Sequence, residues 1–379
     1  MFVHNARLEH LLRPADYVDP SQYQAEVERL FLPAWHLVAS RSEVPRHGDF
    51  RTLELLGRPI QARNIDGTIH AFLNVCPHRP AILTGRPRGN DPHFRCQYHG
   101  WEYTAEGRTA RIPDARCFRP FDRENAQLVK YPVELCGDLI FVKLTENGPT
   151  LREFLGEEFH RTLAASFAPP YRPAWVWEAD IAANWKVPIE NTLEMYHIPI
   201  VHPKTLGTWP PEETVTHDLS GRSTTLRTVE HHPNIAKLKA WLVRRLGETP
   251  SPDYTHHHTH PNTVYIGMDT FRLAEVFVPT SPTTCRQRVW LHVLRGGRNG
   301  PVARAMALLL RKLAVSTTRR ILTEDLPIFP QQQRGMASSP HRGVIGTIEE
   351  RIHTFHEYVR ANAGTAHDGR PRSTQAGGS

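Results

Sequence analysis

Two short segments that combine cysteine with histidine constrain this chain more than any other feature of its sequence. The first reads CPH at residues 76–78 and the second reads CQYH at residues 96–99, with 17 residues between them. Short runs typical of β-strands, interrupted by turn residues, surround both segments. We therefore expect each segment to lie at the tip of a β-hairpin loop, where four side chains can converge on metal.

The mixture of ligand types favours an iron–sulfur cluster. In a Rieske [2Fe–2S] cluster two cysteines bind one iron and two histidines bind the other. Each segment supplies one residue of each kind, so Cys76 and Cys96 would hold one iron, and His78 and His99 the other. A structural zinc site, with a cysteine pair followed by a histidine pair, has a different spacing but is an alternative. Buried cysteines with incidental histidines are another.

The composition is that of a globular protein with room for two domains. The chain has 379 residues, of which 39% are hydrophobic and 22% charged, values typical of folded domains. We expect no membrane span, because no apolar run is long enough, and no signal peptide. Five cysteines, an odd number spread along the chain, argue against a disulfide framework and favour a reducing cytoplasm.

The formal net charge of +7 is spread along the chain rather than concentrated in one tract. It predicts either a solvated basic surface or a docking face for an acidic electron-transfer protein. No nucleic-acid recognition motif accompanies the charge, so we do not expect nucleic-acid binding. A glycine-rich dinucleotide motif is missing as well, so electrons from NADH or NADPH would have to come through a separate protein.

The patterning predicts an α+β protein in four parts. Residues 1–34 form a helical segment that packs on the second domain, and residues 35–148 form an all-β domain that contains both cysteine segments. Residues 149–363 form a second domain of strands and helices, with helical spacing at 302–322 and 345–361. Residues 364–379 are rich in Gly, Ser, Thr, Pro and Arg and predict a disordered tail.

A second group of candidate metal ligands lies at residues 184–202, NWKVPIENTLEMYHIPIVH. His197 and His202 are five residues apart, a spacing that does not align two side chains on a regular helix. Pro199 lies between them and predicts that the helix distorts or ends there, which allows both rings to converge. Two histidines and one carboxylate with open positions form the facial triad of Fe(II) oxygenases. Two incidental histidines beside a proline remain the alternative.

The three segments NVCPHRP (74–80), CQYHGWEY (96–103) and 184–202 resemble the large (alpha) terminal oxygenase subunits of Rieske non-haem iron oxygenases. These include aromatic-ring-hydroxylating dioxygenases and methylamine-type monooxygenases. The resemblance implies an all-β Rieske domain inserted near the N-terminus of a helix-grip-like catalytic domain with an antiparallel sheet. It also implies a [2Fe–2S] cluster and a mononuclear Fe(II). Pro80 departs from the family, which usually has glycine there.

The resemblance also assigns roles to individual residues. It implies that His197 and His202 bind the mononuclear iron with Asp325 as third ligand, or with Glu324 instead. The same acidic pair is also what a helix start would favour. Glu194 is implied to connect His197 with a Rieske histidine of a neighbouring subunit, which requires a homotrimer. Asn191 is implied to orient the iron ligands.

The function implied is that of a terminal oxygenase that uses O₂ and electrons from a separate reductase, with or without a ferredoxin. It would hydroxylate, dihydroxylate or demethylate a small organic substrate, either aromatic or of the methylammonium type, and a β subunit is possible. An electron-transfer protein without oxygenase activity is the alternative. A polar loop that leads into a strand is predicted for His256–His260, metal binding by this histidine tract is the alternative, and its histidines are candidates for the wall of the substrate pocket. Aromatic side chains are available for a cage around a methylammonium substrate, namely Trp175, Trp177, Trp209, Tyr254, Tyr265 and Phe271.

Overall fold

The protein contains a β domain followed by a larger α+β domain, as the fold prediction stated. The computed structural model describes residues 2–122 and 126–365. From residue 366 on, the predicted disordered tail lies outside the described residues. Among the helices of the described residues, none is both long and apolar enough to cross a membrane.

The first domain consists of antiparallel strands. A five-stranded sheet has the order β5-β2-β3-β4-β8, a three-stranded sheet has the order β1-β10-β9, and β6 pairs with β7. The CPH segment follows β4, and the CQYH segment precedes β6. The strands are β1 (Trp35–Ser40), β2 (Asp49–Leu55), β3 (Arg58–Ile65), β4 (Thr68–Leu73), β5 (Arg88–Asn90), β6 (Glu102–Tyr103), β7 (Thr109–Arg111), β8 (Lys130–Tyr131), β9 (Val133–Cys136) and β10 (Leu139–Lys143).

The second domain is built on one seven-stranded antiparallel sheet. Its order is β11-β17-β16-β15-β14-β13-β12, so every strand from β12 to β17 pairs with its neighbour in sequence and β11 closes on the β17 edge. The strands are β11 (Tyr171–Ile181), β12 (Thr216–Leu219), β13 (Ser223–Val229), β14 (Asp253–Thr259), β15 (Thr263–Met268), β16 (Phe271–Ser281) and β17 (Thr284–Leu294).

The helices pack mainly on this second sheet and on one another. Their ends follow local signals: the Asn184 side chain accepts the Lys186 N–H at the start of α4 (3.0 Å), and Gly247 ends α6 in the left-handed conformation. The helices are α1 (Pro20–Glu26), α2 (Leu151–Leu155), α3 (Glu157–Ser166), α4 (Lys186–Leu193), α5 (Ile198–Val201), α6 (Pro233–Leu246), α7 (Pro301–Asp325), α8 (Ile328–Ser338) and α9 (Glu350–Ala363).

One hydrophobic core joins the two domains. Leu37 and Phe141 of the three-stranded sheet pack in the same buried cluster as Tyr265, Val276 and Trp290 of the seven-stranded sheet. The two loops that carry the predicted [2Fe–2S] ligands have a separate, small hydrophobic core. Because packing is continuous across the boundary, the limits 35–148 and 149–363 stay a prediction.

The loop predicted for residues 256–260 is wrong over its first part, because His256, His257 and His258 belong to β14 and are buried. Pairing of β14 with β13 and β15 satisfies its backbone N–H and C=O groups. The His257 ring bonds Thr225 Oγ1 at 2.8 Å and Thr259 Oγ1 at 3.1 Å. Partners from neighbouring strands therefore make a histidine-rich sequence compatible with a sheet interior.

The N-terminal segment is attached to the second domain by a buried ion pair. Glu26, at the end of α1, accepts hydrogen bonds from Lys186 Nζ (2.6 Å) and Trp185 Nε1 (2.7 Å). All three side chains are inaccessible to solvent. The pair holds the start of α4, and α4 in turn leads to the candidate iron ligands.

We expect Lys186→Met to lower the free energy of unfolding by about 3–5 kcal/mol, because it leaves the Glu26 carboxylate buried without its cation. Urea unfolding followed by tryptophan fluorescence measures this change. Arg152→Met is the control, because the Arg152–Glu157 pair (3.2 Å) is exposed and such pairs often contribute nothing measurable. Equal stability of the two variants would contradict a structural role for the buried pair.

Candidate iron centres

The four predicted cluster ligands converge at the tip of the first domain. The rings of His78 and His99 are 4.7 Å apart between centroids, while both cysteines are buried at 2% exposure. His99 is exposed and His78 half-buried. The cysteine side of the site thus faces the domain interior and the histidine side faces the surface, the side from which an electron can leave for another centre.

The surroundings of these side chains fit a [2Fe–2S] cluster. His78 Nδ1 is buried without a hydrogen-bond partner among the described residues, as expected of a nitrogen that binds iron. Trp101 stacks on the His78 ring at 4.7 Å with the planes 5° apart, which fixes the ring. The Tyr103 hydroxyl lies 2.9 Å from Cys76 Sγ, and hydrogen bonds to cluster sulfurs tune the reduction potential.

The helix that precedes the second site ends earlier than the sequence predicted. The sequence predicts that the helix distorts or ends at Pro199, but α4 stops at Leu193 and Pro199 lies in the first turn of α5. Proline fits the first turn of a helix, where its missing N–H is not needed. The break occurs at Glu194, whose backbone is extended.

Glu194 fixes the orientation of His197. Its Oε2 accepts the backbone N–H groups of Tyr196 and His197, and its Oε1 bonds His197 Nδ1. Because a carboxylate can only accept, Nδ1 carries the proton and Nε2 is free to bind a metal. Three of about four acceptor positions of the carboxylate are used in this way.

Glu324 orients His202 in the same manner. Its Oε2 lies 2.9 Å from His202 Nδ1 and accepts the Thr205 hydroxyl at 2.6 Å, while Oε1 accepts Arg320 Nε at 3.1 Å. Burial lowers the pKa of His202, but the hydrogen bonds and charges of Asp325 and Glu324 outweigh burial and raise it. The sequence did not reveal this role of Glu324, because it depends on a contact 122 residues apart.

Asp325 lies between the two histidines. Its Oδ1 is 3.1 Å from His202 Nε2 and 3.9 Å from His197 Nε2, and the three atoms lie within 4.8 Å of one another. The alternative that the acidic pair caps a helix start is wrong, because Asp325 ends α7. A carboxylate is unfavourable at that end of a helix, and a bound cation would compensate for it.

Pro327 and Pro330 do not disturb this geometry, since they lie at the junction of α7 and α8 and in the first turn of α8. The donor set itself, two imidazole nitrogens with fixed tautomers and one carboxylate, fits a mononuclear Fe(II). The structure thus brings His197, His202 and Asp325 together, with Glu324 turned to the far side of His202. Their roles as ligands stay a prediction.

A second convergent group, His10, Glu190 and His356, is less suited to a metal. Glu190 Oε1 already accepts Tyr17 Oη at 2.5 Å and lies 3.0 Å from His356 Nε2. His10 Nδ1 lies 2.7 Å from the Leu12 carbonyl. These contacts satisfy the carboxylate from within the protein, which is what a structural network requires.

The three candidate iron ligands form part of the wall of a cavity of about 420 Å³. Its lining is largely apolar and includes Met195, Leu206, Leu226, Ile235, Ile266, Phe277, Leu322 and Phe329. Of the six aromatic residues considered for a cage, Tyr254 alone lines the cavity. Trp175 and Trp177 stack on each other elsewhere, Trp209 meets the Tyr196 ring edge to face, and Tyr265 and Phe271 pack in hydrophobic clusters.

A groove of about 720 Å³ lies on the other side of the same segment. Asn191, Glu194 and His197 line both the groove and the inner cavity. Exposed apolar side chains flank this region, with Tyr196 60% and Ile200 83% accessible. Glu194 is therefore placed between the iron site and a surface that a partner subunit could cover.

Of the polar residues of the inner cavity, His256 belongs to the histidine cluster that the sequence offered for the pocket wall, whereas Glu275 and Arg351 were not predicted. Glu275 of β16 is buried, and burial together with the Asp325 charge raises its pKa to about 7, even though Gln287 donates a hydrogen bond. His256 of β14 and Arg351 of α9 also line the cavity. The alternation of side chains along a strand would have found Glu275 only if the strand and its buried face had been known.

Two family models match the chain. The model of the Rieske [2Fe-2S] domain matches residues 34–132, and the model of the ring hydroxylating alpha subunit (catalytic domain) matches residues 171–365. The first match confirms the predicted cluster domain.

Similar proteins with curated descriptions include monooxygenase and dioxygenase subunits. The glycine betaine monooxygenase oxygenase subunit of Pseudomonas aeruginosa is 31% identical over 206 residues, which cover 53% of this chain and 46% of that protein. Biphenyl 2,3-dioxygenase subunit alpha of Rhodococcus jostii is 33% identical over 196 residues, or 49% of this chain and 42% of that protein. The matches thus span about half the length of these relatives.

Solved structures share the fold over nearly the whole chain. A quaternary ammonium Rieske monooxygenase superposes with a TM-score of 0.76 at 22% identity and covers 93% of this chain and 95% of that chain. Naphthalene 1,2-dioxygenase with bound indole gives a TM-score of 0.75 at 19% identity, with 95% and 92% covered. The catalytic-domain model matches more than half of the whole chain, and this match follows the Rieske domain in the sequence. The protein therefore belongs to the ring-hydroxylating alpha-subunit family of Rieske non-haem iron oxygenases.

Proposed function

We propose that this chain is the terminal oxygenase of a multicomponent Rieske system, in which His197, His202 and Asp325 bind the mononuclear iron. Cys76, His78, Cys96 and His99 bind the [2Fe–2S] cluster. The observation that supports oxygenase activity most is the convergence of two oriented imidazole nitrogens and one carboxylate oxygen at the wall of a largely apolar cavity. An electron-transfer protein needs no such cavity beside a second metal site.

The residues of the chain have distinct tasks in this proposal. Glu194 and Glu324 hold the two imidazoles so that their Nε2 atoms face Asp325, while the apolar lining excludes water and positions the substrate. When bound, the iron would supply the oxygen chemistry and the cluster would deliver electrons singly. Asn191, which lines both the cavity and the groove, would orient the neighbouring ligands.

The active assembly in this proposal is a homotrimer. The exposed histidine side of the cluster site, the groove beside Glu194 and the flanking apolar residues Tyr196 and Ile200 suit a head-to-tail contact that closes into a ring. Glu194 has an acceptor position left for a cluster histidine of the neighbouring subunit. A β subunit is not required for this contact.

The partners follow from what the chain contains. A separate reductase, with or without a ferredoxin, would supply electrons from NADH or NADPH, and the basic surface would bind that acidic protein. A cytoplasmic location suits a thiolate-bound cluster and an odd number of cysteines. The substrate is a small organic molecule of a size that 420 Å³ admits. A cage for a methylammonium group is not part of the proposal, because Tyr254 alone of the predicted aromatic residues lines the cavity.

Reconstitution with a surrogate reductase tests the proposal. Protein loaded with iron should be red-brown and contain about three irons per chain, two in the cluster and one mononuclear. Oxygen consumption should depend on substrate and match product formation. Two irons per chain and electron transfer without any oxygenated product would instead identify an electron-transfer protein, and zinc alone would exclude both.

We expect Asp325→Ala to lose the mononuclear iron and to retain the two cluster irons, because it removes one of three ligands. Glu324→Ala, at the neighbouring position, is the matched control. It removes only a hydrogen bond that orients His202, so the mononuclear site should remain, with an iron affinity about 10- to 100-fold lower. Iron analysis during dialysis against graded chelator distinguishes these results. The reverse order of iron loss would make Glu324 the ligand.

We expect Glu194→Gln to retain both iron centres but to lower product formation in a single turnover at least about tenfold, because it removes the charge between the centres. Iron content and the visible spectrum of the cluster serve as controls. An unchanged single-turnover rate would exclude Glu194 from electron delivery.

A further inference from the structure

Arg351 is a buried cation in the wall of the candidate substrate cavity. Its side chain is 1% exposed. Its Nε donates to Thr224 Oγ1 at 3.1 Å, and one terminal nitrogen donates to the Thr224 carbonyl at 3.3 Å and to His256 Nδ1 at 3.0 Å. All these acceptors are neutral. Burial lowers the pKa of Arg351 to about 9, so the side chain still has its charge at neutral pH.

No carboxylate of the described residues lies within ion-pair distance of this guanidinium. The contrast with Lys239, another cation that lines the cavity, is clear. Lys239 Nζ is 3.6 Å from Asp269 and 3.8 Å from Glu230 and is therefore compensated within the chain. A buried charge without a counter-ion is strongly unfavourable unless something else supplies the opposite charge.

The contact with Arg351 fixes the tautomer of His256. Because arginine can only donate, His256 Nδ1 must accept, and the proton of the neutral ring lies on Nε2. Burial and the Arg351 charge lower the pKa of His256, which keeps the ring neutral. His256 lines the cavity, and its buried Nε2 has no acceptor among the described residues. An unpaired donor thus stands beside an uncompensated positive charge.

We propose that Arg351 and His256 form a carboxylate-recognition site, and that the substrate of this oxygenase is a carboxylate with an apolar body. The carboxylate would accept a hydrogen bond from His256 Nε2 and compensate the charge of Arg351. The apolar lining would take the rest of the molecule, with the carbon to be oxidised toward His197 and His202. The carboxylate-recognition site rests on the proposed oxygenase function only in that both use the same cavity.

A purely structural role for Arg351 predicts something different. Its two bonds to Thr224 connect α9 with β13, so its loss would destabilise the protein without changing which ligands bind. The choice between carboxylates and neutral ligands of the same shape is therefore the property that separates the two roles.

Isothermal titration calorimetry of the iron-loaded protein with matched ligand pairs tests the proposal. The pairs are benzoate with benzamide, phenylacetate with phenylacetamide and hexanoate with hexanamide. We expect at least one carboxylate to bind about 10- to 100-fold more tightly than its amide, the range for a hydrogen bond to a charged group. Equal or weaker binding of every carboxylate would overturn the proposal.

Variants of both residues complete the test. Arg351→Met and His256→Leu should each abolish the preference, and His256→Gln, which keeps an acceptor and a donor, should restore part of it. His257→Leu is the matched control, because His257 is adjacent in β14 but stacks on Phe159 outside this cavity. If Arg351→Met does not fold, His256→Leu decides, and a preference that survives in it overturns the proposal.

The calorimetry requires neither O₂ nor reductase, so the two proposals fail separately. A carboxylate preference without product formation would leave the recognition site standing and contradict the oxygenase function. Product formation without any carboxylate preference would support the oxygenase function and contradict the carboxylate-recognition site.

Discussion

The candidate iron site depends on two hydrogen bonds between a carboxylate and a histidine. Glu194 binds Nδ1 of His197, and Glu324 binds Nδ1 of His202. Each bond fixes a tautomer and turns the opposite nitrogen toward Asp325. The break after α4 places Glu194 three residues before His197, and the long α7 brings Glu324 and Asp325 to the same point from the other end of the domain.

The cluster site and the iron site share an asymmetry. At the tip of the first domain the cysteines are buried and the histidines face the surface. In the second domain Glu194 lies between the inner cavity and an outer groove. Within the described parts of the chain, the ring contacts and hydrogen bonds of the cluster ligands are made inside their own domain. Both sites thus have one side toward the protein surface, as the proposed cooperation across a subunit boundary requires.

The sequence predicted the fold class and the family, which the sheets and the family matches confirm, because the ligand segments are local and have fixed spacing. The sequence was a poorer guide to helix ends, strands and cavity residues whose positions depend on contacts between distant parts of the chain. The end of α4 at Leu193 follows from the side chain of Glu194 rather than from Pro199. The strand at His256–His258 is stable because its neighbours pair with it. The position of Arg351 in the cavity wall follows from the packing of α9, which no local pattern encodes.

The central claim is that the cluster and the iron site act together as an oxygenase across subunits. Co-assembly of two inactive subunits tests it most directly: His99→Ala, which lacks a cluster ligand, and His202→Ala, which lacks an iron ligand. Each should assemble alone, with the other centre intact and without product formation. Mixed assemblies should regain part of the oxygenase activity, because an intact cluster then adjoins an intact iron site. Mixed assemblies with both centres occupied but no recovered activity would contradict the account.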